Sequence, residues 1–68
     1  MTKGEQMLVD LGYEKISEKY YRNKYETEIR FVETNSGDWV TKCRVGPMAL
    51  SYNEILACAE IVKEIKGQ

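Results

Sequence analysis

The sequence predicts an α+β fold: a three-stranded antiparallel β-meander flanked by a short N-terminal helix and a longer C-terminal helix. Two observations predict it, because a helix-capping pattern occurs near each end of the chain and alternating apolar and polar residues fill the middle. A third concerns size: the chain has 68 residues and no Pro/Gly/Ser-rich linker divides it. We therefore expect residues 1–68 to form a single small domain.

The first predicted helix begins near residue 2. Thr2 and Glu5 fit a capping box, in which each side chain accepts an N–H group of the first turn. Gly12 can adopt the left-handed conformation that ends a helix, and Gly4 weakens the first turn, so we expect about two turns. The apolar residues on one face are Met7, Leu8 and Leu11.

The last predicted helix has the clearest signals. Ser51 and Glu54 form a second capping box, and Gly67 ends the helix after about 15 residues. Leu50 and Ile55 occupy the positions of a hydrophobic staple. We expect the apolar face of this helix to cover the sheet, with the first helix packed beside it. That face consists of Ile55, Cys58, Ala59, Val62 and Ile65.

Three strands are predicted between the helices. Residues 15–25 are rich in tyrosine and charge and contain the turn-prone pair Asn23-Lys24. Residues 27–34 and 39–45 alternate between apolar and polar side chains. Gly46-Pro47 then breaks the third strand, because proline cannot donate to the ladder.

The loop between the second and third strands fixes their register. Asn35-Ser36-Gly37 supplies an odd number of residues, which keeps the two apolar faces together. A loop extended through Asp38 is rejected because it would place Phe31 opposite Lys42. The predicted pairs are Glu33–Trp39, Val32–Val40, Phe31–Thr41, Arg30–Lys42, Ile29–Cys43 and Glu28–Arg44.

Composition excludes several classes of function. Ten basic and eleven acidic side chains leave a net charge of −1, so no bulk attraction to nucleic acid or anionic lipid is expected. Histidine is absent, and no catalytic set, phosphate-binding glycine loop or metal-ligand spacing occurs. We predict a non-enzymatic protein with no cofactor and no metal. The polar N-terminal stretch and the lack of a long apolar run predict a cytoplasmic protein without membrane contact.

The two cysteines, Cys43 and Cys58, are expected to face each other across the sheet and the last helix. They could form a contact or a bridge, or they could serve as two small apolar core residues. The second interpretation is favoured, because reducing compartments disfavour disulfides.

Two stretches are candidates for binding. Residues 15–25 hold four basic groups and one acidic group among tyrosines, a mixture typical of surfaces that bind single-stranded nucleic acid. The candidate binding residues of this stretch are Tyr20 and Arg22. Alternatively, Tyr21 and Tyr25 belong to the core or a sheet edge, and the lysines protect an edge strand from pairing.

The second stretch is the outer face of the predicted sheet. Arg30 lies opposite Lys42, a like-charge pair that costs some stability, and Arg44 follows along the same strand. This face is either simply solvated or a binding surface for an acidic partner. Glu28 argues against a purely anionic ligand, and Val32 with Val40 adds an apolar spot.

Three motifs follow one another along the chain. They are Leu11-Gly12-Tyr13-Glu14-Lys15, the tyrosine-rich charged stretch of residues 20–31, and Ser51-Tyr52-Asn53-Glu54-Ile55. With these motifs the chain resembles small accessory proteins of Firmicutes phages and prophages, although Trp39 and Cys43 depart from the pattern. The resemblance implies a binder or inhibitor of host proteins, including anti-CRISPR and other anti-defence factors, acting in the host cytoplasm.

The expected function is therefore the binding of a bacterial host protein, and the alternative is a nucleic-acid-binding module. The candidate binding residues are Tyr20, Arg22, Arg30, Lys42 and Arg44. A homo-oligomer is a further expectation, because one core below ~70–80 residues provides little stability.

Overall fold

The structure, a computed structural model, describes residues 1–44 and 49–67. Within them it contains two helices and one antiparallel sheet, so the α+β class is confirmed. The predicted strand end at Val45 and the break at Gly46-Pro47 lie outside the described residues. The elements are α1 (Lys3–Asp10), β1 (Glu14–Ser17), β2 (Tyr20–Arg22), β3 (Glu28–Glu33), β4 (Trp39–Arg44) and α2 (Tyr52–Lys66).

The sheet formed by these residues has four strands in the order β1-β2-β3-β4, and the prediction of three strands is wrong. The segment predicted as one strand, residues 15–25, folds into a hairpin. Ser17 pairs with Tyr20, and Lys19 in the turn between them has a left-handed φ of 60°. The sequence does not mark this turn, because it contains neither glycine nor asparagine.

The predicted turn at Asn23-Lys24 lies between β2 and β3. The Asn23 side-chain oxygen accepts hydrogen bonds from the backbone N–H groups of Tyr25 and Thr27, both at 3.0 Å. Asparagine often stabilises a turn in this way. The turn ends β2 and sends β3 back beside it.

The predicted register of the hairpin formed by β3 and β4 is confirmed at all six pairs, from Glu28 opposite Arg44 to Glu33 opposite Trp39. Gly37 has a φ of 87°, the left-handed position that the loop requires. The Thr34 N–H donates to the Asp38 carbonyl at 2.7 Å and closes the loop. The odd loop length therefore keeps Ile29 and Phe31 on the core side.

Both capping boxes are present, at Thr2–Glu5 and at Ser51–Glu54. α1 packs beside α2, as predicted, and Gly4 lies where the two helices approach closely. A Cβ built on Gly4 would lie 2.6 Å from Ile61 Cγ1 and 2.9 Å from the Ile61 backbone nitrogen. Gly4 thus permits the two helices to touch, which the sequence alone did not indicate.

α2 has the predicted length of 15 residues and ends at Gly67, but its buried face differs from the predicted one. Ala57, Cys58 and Ile61 are buried, whereas Ile55 is 54% exposed and Ala59 is also exposed. The placement of Ile55 and Ala59 on the core face is therefore wrong. The reason is that α2 contacts α1 as well as the sheet, which turns its buried face toward α1.

The core lies between the sheet and the two helices. Leu8 and Ile29 are its largest fully buried side chains. Tyr21 and Phe31 form an edge-to-face pair with ring centroids 6.1 Å apart, so Tyr21 belongs to the core. Tyr25, in contrast, is 50% exposed. The buried apolar residues are Leu8, Tyr13, Tyr21, Ile29, Phe31, Ala57, Cys58 and Ile61.

Candidate binding surface on the outer sheet face

The five residues predicted as binding candidates lie on one side of the sheet, opposite the helices. Strand pairing forms two rows there. The first row contains Tyr20 opposite Arg30, which in turn lies opposite Lys42. The second row contains Arg22 between Glu14 and Glu28, and Glu28 opposite Arg44. We call this surface the basic face; it consists of Glu14, Tyr20, Arg22, Glu28, Arg30, Lys42 and Arg44.

Glu28 holds the centre of the basic face together. The Tyr20 hydroxyl donates to Glu28 Oε1 at 2.6 Å. Arg30 Nη2 lies 3.8 Å from Oε1, and Arg44 Nη1 lies 3.7 Å from Oε2. The hydrogen bond from Tyr20 is the main cause that lowers the pKa of Glu28, and the nearby positive charges of Arg44, Arg30 and Arg22 add to it. Glu28 is therefore ionised at neutral pH.

Arg30 is further fixed by an aromatic contact. Its guanidinium carbon lies 4.1 Å from the centroid of the Tyr20 ring, within the range of a cation–π interaction. The stack covers one face of this ring. Tyr20 therefore positions Arg30 and Glu28, and its hydroxyl is already engaged.

Lys42 and Arg44 are the cations most open to a partner. The Arg44 side chain is 85% exposed, and Lys42 is also exposed. Within residues 1–44 and 49–67, no carboxylate lies within 4.0 Å of the Lys42 nitrogen. Beside them, Val32 lies opposite Val40, and Val40 is 38% exposed. This edge of the basic face thus offers the unpaired charge of Lys42 and the exposed, partly neutralised charge of Arg44 next to a small apolar spot.

A second surface feature lies on the helix side of β4, and the sequence analysis missed it. An open groove of about 280 Å³ separates β4 from α2. We call it the β4 groove; its lining residues are Thr41, Cys43, Leu50, Ile55, Cys58 and Ala59. Its presence depends on the rotation of α2 that leaves Ile55 and Ala59 exposed, which no local sequence pattern encodes.

The cysteines both line the β4 groove and both are free. Cys58 is buried, as predicted, but Cys43 is exposed because the groove is open above it. The interpretation of Cys43 as a core residue is therefore wrong. Burial raises the pKa of Cys58 to about 12 and also raises that of Cys43. Both groups remain thiols at neutral pH, which makes them weak nucleophiles.

The remaining ionic contacts are structural. Lys15 Nζ lies 2.9 Å from Glu5 Oε2 and 3.2 Å from Glu18 Oε1, which ties α1 to the first hairpin. The hydrogen bond from Lys15 is the main cause that lowers the pKa of Glu5 to about 2. The Tyr13 hydroxyl donates to Glu54 and thereby ties the segment after α1 to the start of α2. These groups are occupied with one another.

Two features are absent from the part of the chain that the structure describes. That part contains no group of three or more Cys, Asp or Glu side chains placed to hold a metal ion. Neither of its helices is long and apolar enough to cross a membrane. No protein-family model, curated protein or solved structure matches this chain. The basic face and the β4 groove are therefore the candidate binding features of the described residues.

Proposed function

We propose that this protein is a non-enzymatic accessory protein that binds a bacterial protein, with its basic face against an acidic surface of that partner. The observation that carries the proposal is the gathering of four cations and two carboxylates on one side of the sheet; the cations are Arg22, Arg30, Lys42 and Arg44. This face therefore has an excess of positive charge, although the whole chain has a net charge of −1. Complementary charge of this kind favours specific association.

The fixed geometry of the face supports a protein partner. Glu28 and Tyr20 hold Arg30 in place, so less side-chain entropy is lost when a carboxylate binds it. Lys42 and Arg44 extend the positive surface toward the exposed Val40. Apolar contact beside paired charge is a common composition at protein interfaces.

The resemblance to phage and prophage proteins supplies the proposed setting. In that setting the protein acts in the cytoplasm of a bacterial host and inhibits a host or defence protein by covering part of its surface. The sequence has no histidine and therefore no Ser/His/Asp or Cys/His set, which supports binding rather than catalysis. Inhibition by coverage needs no reactive group.

The test compares proteins captured from a Gram-positive lysate by the wild type, by Lys42→Glu and by Lys3→Glu. The last variant is the matched control, since it makes the same charge change at an exposed position on α1, away from the basic face. We expect one or more proteins to be retained by the wild type and the control and lost from Lys42→Glu. Equal capture by all three, or no capture above background, would contradict the proposal.

One observation favours nucleic-acid binding as a second candidate: the four cations could follow a phosphate backbone. Two features oppose it. Arg30 covers the ring of Tyr20, which removes a stacking surface for a base, and Glu28 would repel phosphate. Titration with single- and double-stranded oligonucleotides at several salt concentrations decides between them. Tight binding that falls steeply with salt would favour nucleic acid, and a flat response would remove this candidate.

A further inference from the structure

The two edges of the sheet differ in their readiness to pair with another strand. β1 has four residues, and a bulge between Lys15 and Ser17 interrupts its register. β4 has six residues that pair with β3 without interruption. Within residues 1–44 and 49–67, β4 pairs only with β3, so in this part of the chain its second edge presents unpaired N–H and C=O groups. Bulges and short length protect an edge from pairing, and β4 has neither; its protection is the charge of Lys42 and Arg44, which an acidic strand would neutralise.

The surfaces on the two sides of this edge have opposite character. Thr41 and Cys43 point into the β4 groove, whose far wall is formed by Ile55 and Ala59 of α2. On the other side of the sheet, Lys42 and Arg44 belong to the basic face and are exposed. A strand added at this edge would place its successive side chains alternately on these two sides.

We propose that the free edge of β4 binds an extended segment of the partner protein in which apolar and acidic residues alternate. Its backbone continues the sheet as a fifth strand beside the described four. Its apolar side chains enter the β4 groove opposite Thr41 and Cys43. Its carboxylates lie opposite Lys42 and Arg44, at the ~4.5–5.5 Å Cβ spacing of directly paired residues. Peptide recognition by strand addition combines main-chain hydrogen bonds with pockets for alternate side chains in this way.

Charge decides against a second copy of this chain as the occupant. β4 consists of Trp39–Arg44 and contains no acidic residue. Two β4 strands paired with matching faces would bring Lys42 and Arg44 of both copies onto one side, with no carboxylate from either strand. Like charges that face each other across strands are destabilising. An acidic strand supplies what a second copy lacks.

This inference rests on the proposed function, since it uses the same acidic partner, and the experiment separates the two. The probe is a short end-blocked peptide in which valine and glutamate alternate. Trp39, the single tryptophan, lies at the start of β4, so its fluorescence reports binding. We expect saturable binding of this peptide. A peptide that alternates valine and lysine tests the role of charge alone. If it binds as tightly as the acidic peptide, the proposal of an acidic partner is wrong. Strand pairing is tested separately, by backbone methylation.

Backbone methylation tests the pairing itself. In an extended strand, neighbouring residues direct their N–H groups to opposite edges, so methylation of the valine nitrogens and methylation of the glutamate nitrogens block different edges. We expect one methylated peptide to lose binding by about tenfold or more and the other to keep it. If both methylated peptides behave alike, strand pairing is wrong, although binding of acidic peptides would still support the proposed function.

A pair of variants tests the groove. Ile55→Glu places a charge in the β4 groove, whereas Tyr52→Glu places one on the same helix at a residue that is 74% exposed and does not line the groove. We expect only Ile55→Glu to weaken peptide binding, by about tenfold. Equal affinity of the two variants would overturn the role of the groove. Light scattering at the same concentrations should give a monomer, contrary to the homo-oligomer expected from the small core; a dimer that Ile55→Glu dissociates would assign this edge to a second copy instead.

Discussion

The two sides of α2 carry similar side chains but have different surroundings. Toward α1, Ile61 is only 5% exposed and touches Gly4; toward β4, Ile55 is 54% exposed and borders an open groove. Both residues are isoleucines of one helix. The difference teaches that the neighbouring elements, rather than hydrophobicity, decide which side of a helix stabilises the fold and which side remains available for contact.

The largest expected effect compares these two isoleucines directly. Ile61→Ala should lower the free energy of unfolding by about 2–5 kcal/mol, because it empties a buried position. Ile55→Ala should cost less than about 1 kcal/mol, because more than half of its side chain is already in water. Urea denaturation of both variants measures this. Equal losses would mean that α2 buries both sides and that the β4 groove is closed in solution.

The next largest expected effect concerns the contact between the two helices at Gly4. Gly4→Ala forces a Cβ into Ile61, at a cost of about 1–3 kcal/mol, which exceeds the gain of roughly 0.5–1 kcal/mol from better helix propensity. Gly67→Ala is the control, since a Cβ there would meet its nearest atom at 3.4 Å. We expect a lower melting temperature for the first variant only. A stabilised Gly4→Ala would show that the helices are not in close contact.

Charged side chains show a similar contrast, since Glu5 and Lys15 near α1 are paired with each other whereas the cations of the basic face are exposed. On the α1 side, Glu5 is bound by Lys15, and the pKa of Glu5 is lowered to about 2. Because the folded-state pKa lies below the unfolded value, the stabilisation is present above about pH 4.5 and is lost as the pH falls toward 2. Glu5→Gln should therefore flatten the loss of stability in this window, as measured by denaturation at several pH values. An unchanged acid profile would contradict the Glu5–Lys15 contact.

The smallest expected effect concerns the stability of the basic face. Arg30 and Lys42 face each other in the confirmed register, so Lys42→Glu turns repulsion into attraction. We expect the free energy of unfolding to rise by roughly 0.2–1 kcal/mol. Lys42→Gln is the matched comparison, since it removes the repulsion without adding an attraction and should give a smaller rise. A decrease for Lys42→Glu with the fold retained would mean that the two side chains do not interact across the strands.

Local rules explain which parts of the fold were predictable. The capping boxes, the bounds of α2 and the register of the hairpin formed by β3 and β4 follow from residues close in sequence, and all were predicted. The hairpin formed by β1 and β2 was missed because Lys19 adopts a left-handed φ that lysine rarely takes. The rotation of α2 was missed because it depends on Gly4, which is distant in sequence.

The candidate site likewise has a part that the sequence predicted and a part that it did not. Alternation along β3 and β4 placed Arg30, Lys42 and Arg44 on one face correctly. The bond from Tyr20 to Glu28 was not predicted, because it requires the separate strand β2 and its pairing with β3. The β4 groove was not predicted either, since it follows from the position of α2 over the sheet.

The Gly4 contact also bears on the order in which the chain folds. The Gly4 N–H donates to Glu64 Oε2 at 2.9 Å, a hydrogen bond between residues 60 positions apart. The hairpin of β3 and β4 closes over a short loop, whereas this contact requires almost the whole chain to be in place. We therefore expect the two helices to dock last and to separate first, so that weakening the contact at Gly4 should speed unfolding more than it slows folding.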